Sequence, residues 1–543
     1  MMKKRYVHFS LSLSSLIIVL LLIWPTTFVS STSYQPVADE SSKPAGFVDT
    51  GDRLEIPPTP PKAEPLEPPP PLPLGYDPDG RYVEVGRKIS TILKKPALTQ
   101  AEWGVDIRVV HDDSPVFVYN SDKLFPPASN VKLFTTAAAL DRLGPDFRFR
   151  TYVAYEGTVT ADNRLTGNLV LFGQGDPDLS GSIQNLPNQF AHLDTMAQKV
   201  RESGILEVNG DVIGDDSYFT FAPYGDGWTA SDLAREYGAA VSALSFNNNL
   251  ITLSLLPNRR VGHPARVFVY PSNSLLTVVN NTKTVSKGRT SVRWNRKPGS
   301  DRVTLSGQIA RRSRGTSHNF LVKDPALYTA RLFRERLIKN GVKVKGIARA
   351  RHAGDDPNRS PANPIYMHES PPLLEIISHT NKKSQNLHAE ILLRTLGAQF
   401  RGNGSDRAGL EVVYDFLREA GVTPSTARLF DGSGLSRYNL ITPRAETMLL
   451  SHVAFKPYFS DFLDTLAISG LDGTLRHRML HTPAFLRVFG KTGSLQNVTT
   501  LGGYVRTNSG KMLSFSILVN NHSFSSAAAR KAIDQICDVI VEI

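Results

Sequence analysis

The chain has 543 residues, of which 41% are apolar and 21% charged, with a formal net charge of +12. That length predicts two or three domains, and that composition excludes a disordered polymer. The positive balance points to an anionic environment such as nucleic acid, a membrane surface or a cell wall. The basic residues form no long run, however. The nearest block, Arg311-Arg312-Ser313-Arg314, reads as a solvated loop, and no nucleic-acid site is read from it.

The N-terminus begins with a basic head, Met1 to Arg5, then an apolar stretch from Leu11 to Trp24 and small residues to Ser31. This order is that of a secretory signal. The apolar stretch falls short of the roughly 20 residues a spanning helix needs. Residues 1–31 are therefore read as a signal peptide or, if retained, a membrane anchor, and the protein as exported, to the periplasm or the wall side of the cytoplasmic membrane. Residues 32–82 form a Pro-rich linker, whose Pro57–Gly80 stretch has the density of an extended polyproline spacer.

Next comes a hairpin pattern, with strands over Val105–Val110 and Val116–Asn120 about a turn at Asp112–Pro115. The stretch Pro126 to Leu140, PPASNVKLFTTAAAL, predicts a helix ended by Gly144-Pro145. It is apolar on nearly every face, the pattern of a buried helix, yet carries Ser129 and Lys132 in its first turn. Burying an ammonium is expensive unless it is paired or neutralised. Either the helix start opens onto a cleft or the lysine has a task.

Residues 156–365 read as one or two β-rich inserted domains, short strands separated by turns. Gly173-Gln174-Gly175 is a turn, since Pro177 forbids the helix a dinucleotide loop requires. Asp176/Asp178 and Asp215/Asp216 read as turn formers. Helices resume near Ser370, one of them over Leu387–Phe400 after the polar Asn381–Asn386. Strand-like runs follow at 485–493, 498–506 and 512–520, and an amphipathic helix begins near Ser525. It contains the single cysteine, Cys537, at core spacing; no intramolecular disulfide can form. The two N-terminal and three C-terminal strands would build one antiparallel sheet with helices packed on it.

Three polar strings interrupt these elements: Ser129-Asn130-Val131-Lys132, Ser384-Gln385-Asn386 and Lys491-Thr492-Gly493-Ser494. A three-residue gap on a helix puts Ser129 and Lys132 on one face. A serine hydroxyl needs a base to become a nucleophile, and lysine serves if burial or a nearby cation lowers its pKa. Singly, each string has a bland reading: a helix cap at Ser129, another near Ser384, a strand end at Lys491. Their conjunction, in order and on a helix start, a loop and a strand, favours chemistry. His477 and His481 have the spacing of a metal pair but lack the glutamate of H-E-x-x-H, and Asp431 replaces the first glycine of a G-x-S-x-G elbow around Ser433.

These strings resemble the S-x-x-K, S-x-N and K-T-G motifs of the penicillin-recognising serine enzymes. With GDPDL, SALSFNNN, SQNLHAE, DGSGLSRYN, SGLDGTLRHR and GKTGSL, the chain from about residue 85 onward resembles the D-alanyl-D-alanine carboxypeptidase/endopeptidase family, the class C low-molecular-mass penicillin-binding proteins. The resemblance implies an α/β (α+β) fold. Its transpeptidase-like catalytic domain is an antiparallel sheet flanked by helices, formed by residues 83–155 and 366–543 and interrupted by the insertion. It also implies catalytic roles for Ser129 as nucleophile, Lys132 as its base, and Ser384 and Asn386 in proton relay. Lys491 and Thr492 would hold the substrate carboxylate, Gly493 would complete that motif, and the Ser129 and Ser494 amides would form the oxyanion hole. Lys491 would carry the charge that keeps Lys132 neutral. The implied partners are peptidoglycan stem peptides and, as inhibitors, β-lactams; no cofactor and no metal are implied. A β-lactamase and a non-catalytic wall-binding scaffold are the rival readings. The first lacks an E-x-x-L-N string, and the second ordinarily loses the serine or lysine.

Overall fold

The structure, a computed structural model, describes residue 80 and residues 82–272, 275–297, 300–352 and 361–543. The expected signal or anchor, and the linker up to Asp79, lie outside the described residues. No helix among the described residues is long and apolar enough to cross a membrane.

The first strand, Glu102–Val109, pairs antiparallel with the last, Met512–Asn520, from Glu102↔Asn520 to Val109↔Leu513. Around this pair runs a six-stranded antiparallel sheet in the order 467–468, 488–495, 498–506, 512–520, 102–109, 115–119. The alternation of strand side chains decides its two faces. Trp103, Val105 and Ile107, with Phe515, Ile517 and Val519, meet the terminal helices Val83–Leu93 and Ser526–Val541 in one core. Cys537 lies fully buried there, and burial pushes its thiol far above the ordinary range, so it is a core residue. The third expected strand starts at Val488, later than the sequence pattern suggested, because Leu486 has φ 60° and breaks the extended run.

Against the other face packs the helix Val131–Leu143, its first ten residues all buried. It shares the largest core with Leu373–Lys383, Asn386–Arg401, Asp406–Glu419 and Pro443–Ala454. The apolar stretch singled out in the sequence is thus central, with neighbours on all sides.

Between these halves lies a seven-stranded sheet in which Arg150–Val159 pairs antiparallel with Arg164–Gly173 and with Pro364–Glu369. It is covered by helices Ala191–Glu202 and Pro325–Lys339, which the β-rich reading missed. Both are amphipathic, and Asp324 caps the second by accepting from Leu327 N. Two three-stranded sheets, 277–285/291–296/302–310 and 250–256/266–270/316–321, enclose a small core of their own around Leu253, Val303, Leu305 and Phe320. Asp176 and Asp215 close turns by accepting from Asp178 N and Ser217 N.

Arg394, 1% exposed, joins two helices of the main core through a fork on Asp406 (Nε–Oδ1 2.6 Å). Arg394→Ala removes one partner of a buried pair and should cost about 3–5 kcal/mol. Arg407→Ala, at an exposed pair with Glu411, should leave the unfolding midpoint unchanged; thermal denaturation of the two variants checks the contrast.

Candidate active site

Two prolines and a 3₁₀ turn at Ala128–Asn130 set the entry to the central helix. Ala128 takes φ 49°, in the left-handed region, a strained conformation for a residue with a Cβ. Two glycines allow the turn to be held. A Cβ at Gly434 would collide with the Ala128 carbonyl and crowd the Ser129 amide, and one at Gly493 would come within 2.8 Å of Pro127 O and 3.0 Å of Ala128 Cβ. Ser129 caps nothing: the helix N-cap is Asn130, without a side-chain cap.

Lys132 Nζ is buried and donates to Ser129 Oγ (3.0 Å), Asn386 Oδ1 (2.7 Å) and the Ser433 carbonyl (2.6 Å). An ammonium has three protons for these three acceptors. Only Ser129 can reverse the bond, because the other two atoms are pure acceptors. When Lys132 is neutral, its two remaining protons stay on Asn386 and Ser433 and its lone pair faces the Ser129 hydroxyl. Burial lowers its pKa to about 7, against the opposing pull of Asp431 and Glu390.

The second string lies at a break between helices. Ser384 ends Leu373–Lys383 with φ 58°, and Asn386 opens the next helix. The Ser384 side chain makes no cap; its Oγ accepts from Lys491 Nζ (2.9 Å). Asn386 Nδ2 donates to Tyr237 O (2.9 Å), which fixes its Oδ1 toward Lys132. The third string lies within the strand Val488–Leu495, so Lys491 is no strand end. Lys491 is fully buried and also donates to Thr492 O (2.8 Å). Burial first, then the proximity of Lys132, lowers its pKa well below the usual lysine value. For Lys491 to carry the charge that suppresses Lys132, as expected of it, it therefore needs a counter-charge, which a substrate carboxylate would supply. Thr492 Oγ1 donates to Thr474 Oγ1 (2.8 Å).

All three strings thus meet. Ser129, Ser384, Asn386 and Ser494 line one cavity of about 540 Å³, rimmed by Asp232 and Arg437. His477 and His481 are exposed, and the described residues contain no group of three or more His, Cys, Asp or Glu able to hold a metal ion.

Sequence reasoning missed the frame around the lysine. Glu390 accepts from Gly432 N and Ser433 N (both 2.9 Å), which aims the Ser433 carbonyl. Asp431 accepts from Gly434 N, Ser436 N, Asn439 Nδ2 and Trp228 Nε1. Glu446 links Asn130 Nδ2 to Ser516 Oγ, and burial raises it to about 8. The available signal was a carboxyl set among apolar residues, as Glu390 is in its helix and Glu446 in its own.

This sheet, with a serine–lysine pair at the start of its central helix and a second lysine on the facing strand, is the arrangement of the penicillin-recognising serine hydrolases. Within that class the chain belongs to the D-Ala-D-Ala carboxypeptidase 3 (S13) family, whose model matches residues 85–540. The D-alanyl-D-alanine carboxypeptidase of Actinomadura sp. (strain R39) is 33% identical over 455 residues, 82% of this chain and 82% of that protein. The D-alanyl-D-alanine carboxypeptidase DacB of Haemophilus influenzae is 27% identical over 415 residues, 75% of this chain and 82% of that one. The crystal structure of penicillin binding protein 4 (dacB) from Haemophilus influenzae superposes with a TM-score of 0.70 at 24% identity, covering 83% of this chain and 97% of that one; at that identity the likeness shows the fold.

Lys132 has a pKa lowered to about 7; acting as the base expected of it, it would accept the serine proton only as the neutral amine, so acylation by a β-lactam should rise with pH through about 7 and level off above it. Lys132→Arg, permanently charged, should lose about a thousandfold in acylation rate. Stopped-flow acylation against pH measures both.

Proposed function

We propose that this enzyme, a serine-type D-Ala-D-Ala carboxypeptidase, cleaves the terminal D-alanine from peptidoglycan stem peptides through an acyl-enzyme on Ser129. The observation that carries the reading is the 3.0 Å contact between Ser129 Oγ and a buried Lys132 whose other two acceptors are fixed. Lys132 takes the hydroxyl proton as Oγ adds to the carbonyl between the two D-alanines. Ser129 and Ser494 line the same cavity, and their amides would stabilise the oxyanion. Ser384, held by Lys491, relays a proton to the departing amine, with Asn386 and Lys132 keeping the relay aligned. Lys491 and Thr492 select a free C-terminal carboxylate by a charge-assisted contact. Water then releases the shortened peptide. A β-lactam acylates the same serine and lacks a leaving group that diffuses away.

The reading extends to cleavage of cross-links as an endopeptidase activity of the same cleft. We also propose the expected division, with catalytic parts at 83–155 and 366–543 and an insertion at 156–365, its boundaries adjusted to the ends of the paired strands Arg150–Val159 and Pro364–Glu369, which belong to the inserted sheet. An enzyme of the cell wall is exported; the proposal adds the periplasm or wall side of the cytoplasmic membrane as its site, with residues 1–31 removed or kept as an anchor.

Ser129→Ala should abolish both covalent labelling by a fluorescent penicillin and release of D-alanine from a pentapeptide; labelling that persists sinks the assignment of the nucleophile. Lys491→Ala should lower kcat/KM for peptides with a free C-terminus by about 10- to 100-fold, the worth of one charge-assisted bond. Peptides amidated at that end should show no such difference.

A further inference from the structure

The net charge of +12 is concentrated in one part of the fold. From Leu250 to Leu321, the span of the two small three-stranded sheets, the chain has ten Arg, three Lys and a single acid, Asp301. That one subdomain carries a charge equal to the whole protein's. Between Glu236 and Asp301 there is no acidic residue.

The charges gather further at one end. Three loops meet there: 257–265, 286–290 and 311–315. Gly262 N donates to Thr284 O (2.8 Å), Thr284 N to His263 O (2.8 Å), Arg311 N to Val285 O (2.8 Å) and Ala310 N to Thr290 Oγ1 (3.1 Å). These bonds bring together Arg259 and Arg260 from the first loop, Lys287 and Arg289 from the second, and Arg311, Arg312 and Arg314 from the third. All seven are exposed. Asp301 pairs with Arg296 and Lys323, and among the described residues none of the seven forms an ion pair. Like charges fixed side by side repel, so the tip is an unneutralised cationic surface suited to a polyanion.

We propose that this tip is a non-catalytic anchor for the peptidoglycan polymer itself, binding the free carboxylates of its stem peptides. This rests on the reading of the cleft as a peptidoglycan site. A stem ending in D-Ala-D-Ala bears a free carboxylate, and it still bears one after the last residue is removed, so the mesh remains a polyanion before and after the reaction. Every tip charge but Lys287 is an arginine, and the planar guanidinium fork matches a carboxylate. A bilayer fits less well, because the tip's exposed large hydrophobics reduce to Val261, whereas interfacial anchors bury an apolar face.

The geometry links anchor and cleft. Leu250, at the opposite end of the same sheets, lines a second cavity of about 400 Å³ with Tyr237, Ser384 and Asn386. The strand Leu250–Leu256 leads from there to the tip, a span of roughly 20 Å at about 3.3 Å per residue. Many weak contacts to a repeating polymer then raise the local concentration of stems at the cleft.

The test compares the full chain with a variant carrying R259Q, R260Q, R311Q, R312Q and R314Q, none in the catalytic machinery. Both are sedimented with insoluble peptidoglycan stripped of phosphate polymers by hydrofluoric acid, with the same material after amidation of its carboxylates, and with phosphatidylglycerol vesicles. The wild type should co-sediment with the untreated peptidoglycan. Its apparent affinity should fall about tenfold or more in the variant and on amidated material, and vanish near 1 M salt, where screening acts within about 3 Å. D-Alanine release from a soluble pentapeptide should be equal for the two proteins. Equal sedimentation of both, insensitivity to amidation, or binding to vesicles alone would each overturn the anchor. Variant-sensitive sedimentation without pentapeptide hydrolysis would instead keep the anchor and reject the reading of the cleft.

Discussion

A single nitrogen organises the centre of this molecule. Lys132 Nζ lies where an amine is costly, and it is tolerated because three acceptors converge on it, one from the turn just before it and two from distant parts of the chain. Each acceptor is itself secured. Asn386 is tied through Nδ2 to the Tyr237 carbonyl, and Ser433 is oriented by two amide bonds to Glu390. Glu390 is itself raised to about 8 by burial and by Asp431. Burial of the lysine outweighs the pull of Asp431 and Glu390, which keeps the amine near the point of losing its proton at neutral pH.

The fold explains how so local a requirement is met over such a distance. The pairing of Glu102–Val109 with Met512–Asn520 closes the catalytic sheet from both ends of the folded chain. The Val488–Leu495 strand then lies beside the helix start, close enough that Gly493 packs on the Pro127–Ala128 peptide. Thr500, on the next strand, donates to Pro127 O and Asn130 Oδ1 and clamps the same turn. Everything in the middle of the chain can be large because it leaves and re-enters this arrangement without crossing it.

Much of this is legible in the residues. Lys132 stands out because nearly every neighbour in its helix is apolar, and the strands near the C-terminus announce themselves by length and by turns such as Asn508-Ser509-Gly510. Backbone groups are invisible: the Ser433 carbonyl is a partner of the lysine only because of a loop shape that Glu390 and Asp431 impose, and a pattern of side chains does not encode that. The helices Ala191–Glu202 and Pro325–Lys339 are masked because strands crowd the sequence on either side of them. The cationic tip reads along the chain as a scatter of solvated charges. Arg259, Lys287 and Arg311 are far apart in order and adjacent only through loop-to-loop amide bonds, and what marks them is the absence of acids between Glu236 and Asp301.

The turn that presents Ser129 has a bearing on drug escape. Gly434 and Gly493 leave no room for a methyl group against Pro127, Ala128 and the nucleophile's own amide, so a substitution there that discouraged an antibiotic would also dislodge the serine. Change is cheaper toward the mouth, where Arg437 and the exposed Gln496 border the cavity without supporting that turn. Resistance in such a protein would have to be written at the entrance, by altering which shapes are admitted rather than how they react.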